Sequence, residues 1–209
     1  MLLNDIYNQF YNECAIAKSI IIKSNVFFDN HVNYANELYS SDIHTCVING
    51  AFLKSFKAFE EFLEKSFICY MLGQTGINGK TIISYINPVS IEHAYSIIKW
   101  ANKYSDFTNR DTIVQLSDKY FKNGGSFTSL NNFNKIFEDI KKIRNAITHV
   151  SRDSENKFLE MVRTELGSLP NGCNTANFLN TIETKSKLPY FIYYCEHMKI
   201  IVDAIANPS

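Results

Sequence analysis

Apolar side chains recur along this chain at intervals of three and four residues, the pattern of helices that bury one face. Leu3, Ile6, Phe10, Cys14, Ala17 and Ile21 form one such stripe and predict a first helix over residues 2–23. Ile48, Phe52, Phe56, Phe59, Leu63, Phe67 and Tyr70 form a second over residues 42–72, closed by Gly73, Gly76 and Gly79. Pro88 and Ser90 announce a third helix, from Ile91 to about Tyr104. Thr108 with Asp111 resembles a capping box and starts a short fourth helix that stops before Gly124 and Gly125. Ser129 or Asn131 can cap a fifth, whose stripe is Phe133, Ile136, Ile140, Ile143 and Ile147. Residues 153–166 make a sixth, ended by Gly167 and Pro170, and the last starts near Pro189 with Phe191, Tyr194, Met198, Ile201 and Ile205 on its face. Residues 167–188, rich in Asn, Thr, Ser and Gly, read as a long loop, and the β-like run 81–86 as a short extension of a helix. With no repeat and no second core in the pattern, the expectation is an all-α bundle in one domain spanning residues 1–209, with long antiparallel helices.

Composition narrows what such a bundle does. Its 209 residues can bury a core without disulfide or metal staples. Lys+Arg and Asp+Glu are 21 each, so the formal net charge is zero. That balance excludes a general nucleic-acid coat protein, which needs a large positive field, and a polybasic membrane-surface protein. It leaves room for a small, focused anion site. The N-terminal residues lack the basic and apolar regions of a signal peptide, and no window approaches the ~20 apolar residues of a membrane span. Cysteines 14, 46, 69, 173 and 195 are far apart and include no CxxC pair, which predicts buried thiols in a reducing cytoplasm. Neither they nor His31, His44, His93, His149 and His197 have ligand spacing, so no metal and no cofactor is expected.

Several candidate chemistries fail on spacing. Residues 73–81 (GQTGINGKT) resemble a phosphate-binding P-loop, but five residues rather than four separate Gly73 from Gly79, and the segment follows a helix rather than a strand. A glycine-rich turn is the better reading. No GxSxG is present. Glu60-Glu61 and Glu138-Asp139 are neighbours on helices and point ~100° apart, so each pair reads as one rim residue and one solvated residue. The 12 Tyr and 16 Phe lie mostly on the stripes, where packing accounts for them; Tyr104, Tyr120, Tyr190 and Tyr193 are left unassigned.

One constellation remains, residues 141–149, KKIRNAITH, at the end of the fifth predicted helix. Lys141, Lys142 and Arg144, with Arg152 beyond, concentrate positive charge in a neutral chain that has only four arginines. Arg144 lies on the flank of the isoleucine stripe and His149 well off it, so the core requires neither. The string Arg144-Asn145-Ala146-Ile147-Thr148-His149 resembles the R-x(4–6)-H motif of HEPN domains, small all-α bundles that carry it late in a long helix, often with a polar residue after the arginine. The run Ala58-Phe59-Glu60-Glu61-Phe62-Leu63 is similar to the long second helix of stand-alone HEPN ribonucleases of the RiboL-PSP and MAE-like kind. Glu60 is the better match to the glutamate carried there.

The resemblance implies a metal-independent endoribonuclease that leaves 2′,3′-cyclic phosphate and 5′-hydroxyl ends. It implies His149 as the proton-transfer group, since histidine changes charge around ~6.5, and Arg144 as the fork on the phosphate oxygens. Asn145 and, less directly, Glu60 become orienting residues, while Lys141, Lys142 and Arg152 become RNA contacts. Arg144 and His149 are separated by ~7.5 Å of rise and ~140° of rotation on a straight helix. Either the helix loosens near Thr148, or the arginine reaches around, or two copies combine. The family arrangement is a homodimer with a composite site, and its stand-alone members are commonly toxins or phage-defence effectors, which implies RNA as substrate and an antitoxin or defence-system partner. Two other readings stay open at this point: a non-catalytic nucleotide- or protein-binding bundle, and an unrelated helical scaffold.

Overall fold

The computed structural model describes residues 1–31, 41–101, 107–149 and 151–209. Among them are eight α-helices and no strand: α1 (Leu3–His31), α2 (Ser41–Met71), α3 (Ile91–Ala101), α4 (Arg110–Tyr120), α5 (Asn134–Thr148), α6 (Arg152–Leu166), α7 (Thr175–Asn180) and α8 (Tyr190–Ala206), with a 3-10 stretch at Lys122–Phe133. The class is all-α, as the periodicity predicts. Tyr104, and with it the predicted end of the third helix, lies outside the described residues. No helix among the described residues is long and apolar enough to cross a membrane.

The helices form where the stripes predict, except that α1 runs on to His31, past the predicted end at residue 23, and caps set the limits of several. The α4 cap is Asn109, one residue past the predicted Thr108; its side chain accepts from the backbone N–H groups of Asp111 and Thr112. Ser90 caps α3, accepting from the His93 N–H at 3.1 Å. Ser151 caps α6 by accepting from Ser154 N–H, and Gly167 ends it at φ 73°, a left-handed turn that costs glycine least. The fifth helix starts later than predicted, because Asn123, Gly124 and Gly125 all take positive φ and open a 3-10 stretch first. Gly124 sits at φ 70°, where a side chain is strained, and a Cβ there would press within 2.6 Å of an Asp118 carboxylate oxygen and 2.7 Å of the Thr128 methyl, which would have to move.

The chain divides into two compact units. The first comprises Met1–Tyr11, Ala58–Phe137 and Met198–Ser209. Phe67 is fully buried at the centre of its aromatic core, 4.9 Å from Phe121, 5.0 Å from Phe127 and 5.7 Å from Phe107 between ring centroids. Each such pair contributes about 0.5–1.5 kcal/mol beyond the area it buries. The Tyr70 hydroxyl donates to the Ile205 carbonyl at 2.7 Å, and Tyr7 and Tyr11 both donate to one oxygen of Asp203, at 2.8 and 2.7 Å. Residues 81–86 do not extend a helix. They lie extended beside the end of α4, with Tyr85 N–H on the Tyr120 carbonyl at 2.8 Å and Lys122 N–H on the Ile83 carbonyl at 2.9 Å. The glycine-rich segment after α2 is the tight turn the spacing argument favours: Gly76 N–H reaches the Lys80 carbonyl at 2.8 Å.

The second unit comprises Asn12–Lys57 and Glu138–His197. Phe178 stacks on Tyr190 at 4.4 Å and meets Phe158 edge-on at 5.9 Å. Thr175 donates to Asn49 at 2.8 Å, and Asn25 joins Asn180 at 3.1 Å. Lys54 and Glu13 form an ion pair. Three expectations are corrected here. Residues 167–188 contain α7, a helix too short to show a period in sequence. Asp139 is buried rather than on a rim, with only Glu138 of that pair exposed. The thiols of Cys14, Cys69 and Cys195 are buried, but Cys46 is exposed and Cys173 half-buried; none of the five is in a disulfide.

Candidate functional site

Helix α5 positions the first two candidate residues. Its stripe is fixed by burial of Ile136, Ile140 and Ile143, which leaves Arg144 and Asn145 half-exposed on its flank. The helix ends at Thr148, whose hydroxyl turns back onto the Arg144 carbonyl at 2.9 Å. His149 follows with its backbone held on both sides. Its N–H donates to the Asn145 carbonyl at 2.9 Å, and its carbonyl accepts from Ser151 N–H at 2.9 Å. Ser151 then caps α6, so only three residues connect the two helices.

The side chains close the gap that ideal helix geometry leaves. Nη1 of Arg144 lies 3.1 Å from Nε2 of His149 and donates to Oδ1 of Asn145 at 3.0 Å. Of the three ways to bring the pair together, the reach of the arginine and the end of the helix at Thr148 suffice within one chain. A guanidinium nitrogen only donates, so Nε2 must accept, and the neutral imidazole carries its proton on Nδ1. The guanidinium carbon sits 6.0 Å from the centroid of the Phe56 ring, a cation–π contact that gives the fork an apolar floor. No carboxylate is among its contacts in the described residues.

Other predicted residues fall around this pair. Lys141 and Lys142 are half-buried on α5, upstream of Arg144. Arg152 is exposed at the first position of α6, where a cation opposes the helix dipole, so helix stability does not account for it. Glu60 is half-exposed on α2 and belongs to the first unit, whereas Arg144, Asn145 and His149 belong to the second.

Beside His149 opens a pocket of about 590 Å³, walled by Arg152, Glu155 and Leu159 of α6 and by Cys173 and Asn174 ahead of α7. Burial raises the Cys173 thiol above its ordinary value. Sequence reasoning missed Phe56 as a partner of Arg144, and missed Glu155 and Leu159. The signal for the last two was available: Arg152, Glu155 and Leu159 are spaced by three and four residues and share one face of α6.

The arrangement offers a cationic fork, an imidazole lone pair and an amide oxygen within one hydrogen-bonded cluster, at the mouth of a pocket large enough for a nucleotide-sized ligand. This chain matches no family model, no curated protein and no solved structure.

Proposed function

We propose that the chain is a metal-independent endoribonuclease of HEPN type. The observation that carries the reading is the contact of Arg144 Nη1 with His149 Nε2 at 3.1 Å, at a solvent-accessible helix end. In the proposed reaction the Arg144 fork moves from the imidazole onto the non-bridging oxygens of a scissile phosphate. That releases the Nε2 lone pair, which takes the proton of the neighbouring 2′-hydroxyl. The O2′–P bond forms as the P–O5′ bond breaks, giving a 2′,3′-cyclic phosphate. The departing O5′ needs a proton, and His149 of a second copy, in its protonated form, supplies it. Asn145 keeps the fork oriented between the two positions. A homodimer with a composite site therefore belongs to the proposal, and a neutral chain suits it because two basic surfaces need converge only at one seam. The fold class, the motif position and the hydrogen-bonded pair support this reading; a toxin or defence role with a neutralising partner follows from the family resemblance.

The test is cleavage of single-stranded and loop RNA by purified protein in EDTA, with the ends identified chemically. The expected products carry 2′,3′-cyclic phosphate and 5′-hydroxyl ends, and His149→Ala and Arg144→Ala each cut activity by a factor of about 10²–10⁴ while the dimer persists. Full activity of both variants would remove the assigned roles. An inactive wild-type chain that still binds a nucleotide or protein would favour the non-catalytic bundle.

A further inference from the structure

We infer that the pocket beside His149 is a nucleobase subsite that selects an unpaired guanine next to the scissile phosphate; its link to cleavage rests on the ribonuclease reading above. The volume of about 590 Å³ lies within the range of small-molecule sites. The apolar part of the wall comes from Ala146 and Leu159, backed by the buried ring of Phe158. A flat aromatic ring can lie against such a surface, as the bases of single-stranded RNA do in protein clefts.

The polar part of the wall decides which base. Most of its groups are already committed within the protein. Ser151 Oγ is bonded to the N–H and hydroxyl of Ser154, Asn174 Oδ1 accepts from Asn177 N–H at 2.8 Å, and Thr175 donates to Asn49. Glu155 and Arg152 differ: both are exposed, and neither forms an ion pair or side-chain hydrogen bond among the described residues. The nearby charges do not engage them, since Asp153 is held by Lys157 at 2.7 Å. A carboxylate only accepts. Guanine presents two adjacent N–H donors, N1–H and the N2 amino group, which match the two oxygens of Glu155. Adenine and cytosine offer one amino group beside an acceptor, and uracil a single imide N–H between two carbonyls. Arg152 then faces the flanking phosphate. The chemistry of the wall therefore ranks guanine first and uracil last.

Equilibrium binding of guanosine, adenosine, cytidine and uridine 3′-monophosphates to the purified full chain tests this without any need for turnover. Guanosine 3′-monophosphate is expected to bind about tenfold or more tighter than the uridine compound. Glu155→Gln, an exposed change, should erase that preference, and Leu159→Trp should weaken all four by filling the pocket. Equal binding of the four, or a guanosine preference untouched by Glu155→Gln, overturns the subsite. Guanosine preference without RNA cleavage would sink the ribonuclease reading alone; cleavage without base preference would sink the subsite alone.

Discussion

Arg110 and Arg144 put the same side chain to opposite uses. Arg110, at the first position of α4, gives Nη1 to Asn131 at 3.0 Å and Nε to Asn134 at 3.1 Å, and Nη2 lies 3.2 Å from the Asp111 carboxylate. Its charge is balanced and its fork is held by three residues, so it ties α4 to the end of the 3-10 stretch. Arg144 is held by an amide oxygen and an imidazole nitrogen, both neutral acceptors, over an aromatic ring. Nothing among those partners cancels its charge. An arginine paired with a carboxylate is architecture, whereas one kept in place by neutral groups retains its attraction for an incoming anion.

The largest expected effect crosses the two. Arg144→Ala should lower RNA cleavage by a factor of about 10²–10⁴ with stability lowered by no more than about 1 kcal/mol, the loss of the contact with Phe56. Arg110→Ala should do the reverse, lowering unfolding free energy by about 1–2 kcal/mol in a denaturant titration with cleavage intact. Equal loss of cleavage in a well-folded Arg110→Ala protein would break the distinction. Lysine sharpens it: Arg144→Lys keeps the charge but loses the fork, so cleavage should fall by about tenfold or more, while Arg110→Lys should cost under about 1 kcal/mol because Asp111 still finds a cation.

Glu183 supplies a third charge, on the architectural side. Its carboxylate accepts from Lys185 N–H at 3.0 Å and Ser186 N–H at 2.6 Å, and those bonds hold its pKa down at about 2. The folded value lies below the unfolded one, so the stabilisation is complete above about pH 4.5 and disappears as pH falls toward about 2. Denaturant midpoints of wild type and Glu183→Gln should therefore differ at pH 6 and draw together near pH 3. A gap that stays constant with pH would show that the turn does not depend on this charge. The smallest effect belongs to Lys141 and Lys142. Replacing either by alanine should weaken RNA binding a few-fold and reduce its salt dependence by about one counterion, without changing the cleavage products.

Much of the fold was legible because burial imposes the helical period on the sequence. All six residues of the first stripe and all seven of the second are buried. What escaped the period was short or tertiary. Six-residue α7 is held by the Asn174 cap and by the bond from Thr175 to Asn49, 126 positions away. The late start of α5 follows from three consecutive positive φ values that only the glycines foreshadowed. The Arg144–His149 string was legible as spacing, but its contact was not. An ideal helix sets the two residues ~140° apart, and closure depends on where the helix ends and how far a guanidinium reaches. The pocket was hidden for a related reason, since one wall comes from residues that read as loop.

The interleaving of the two units has a consequence for how the chain is made. Residues 12–57 wait for 138–197, and the unit that opens at Met1 is complete only with Met198–Ser209. A ribosome working from the N-terminus therefore finishes neither unit until residues 138–197 have emerged. Contacts between segments so distant in order fold slowly, because the long intervening loops must close first. A nascent chain of this design exposes Arg144 and His149 before residues 173–175, which wall the pocket beside them, have been made.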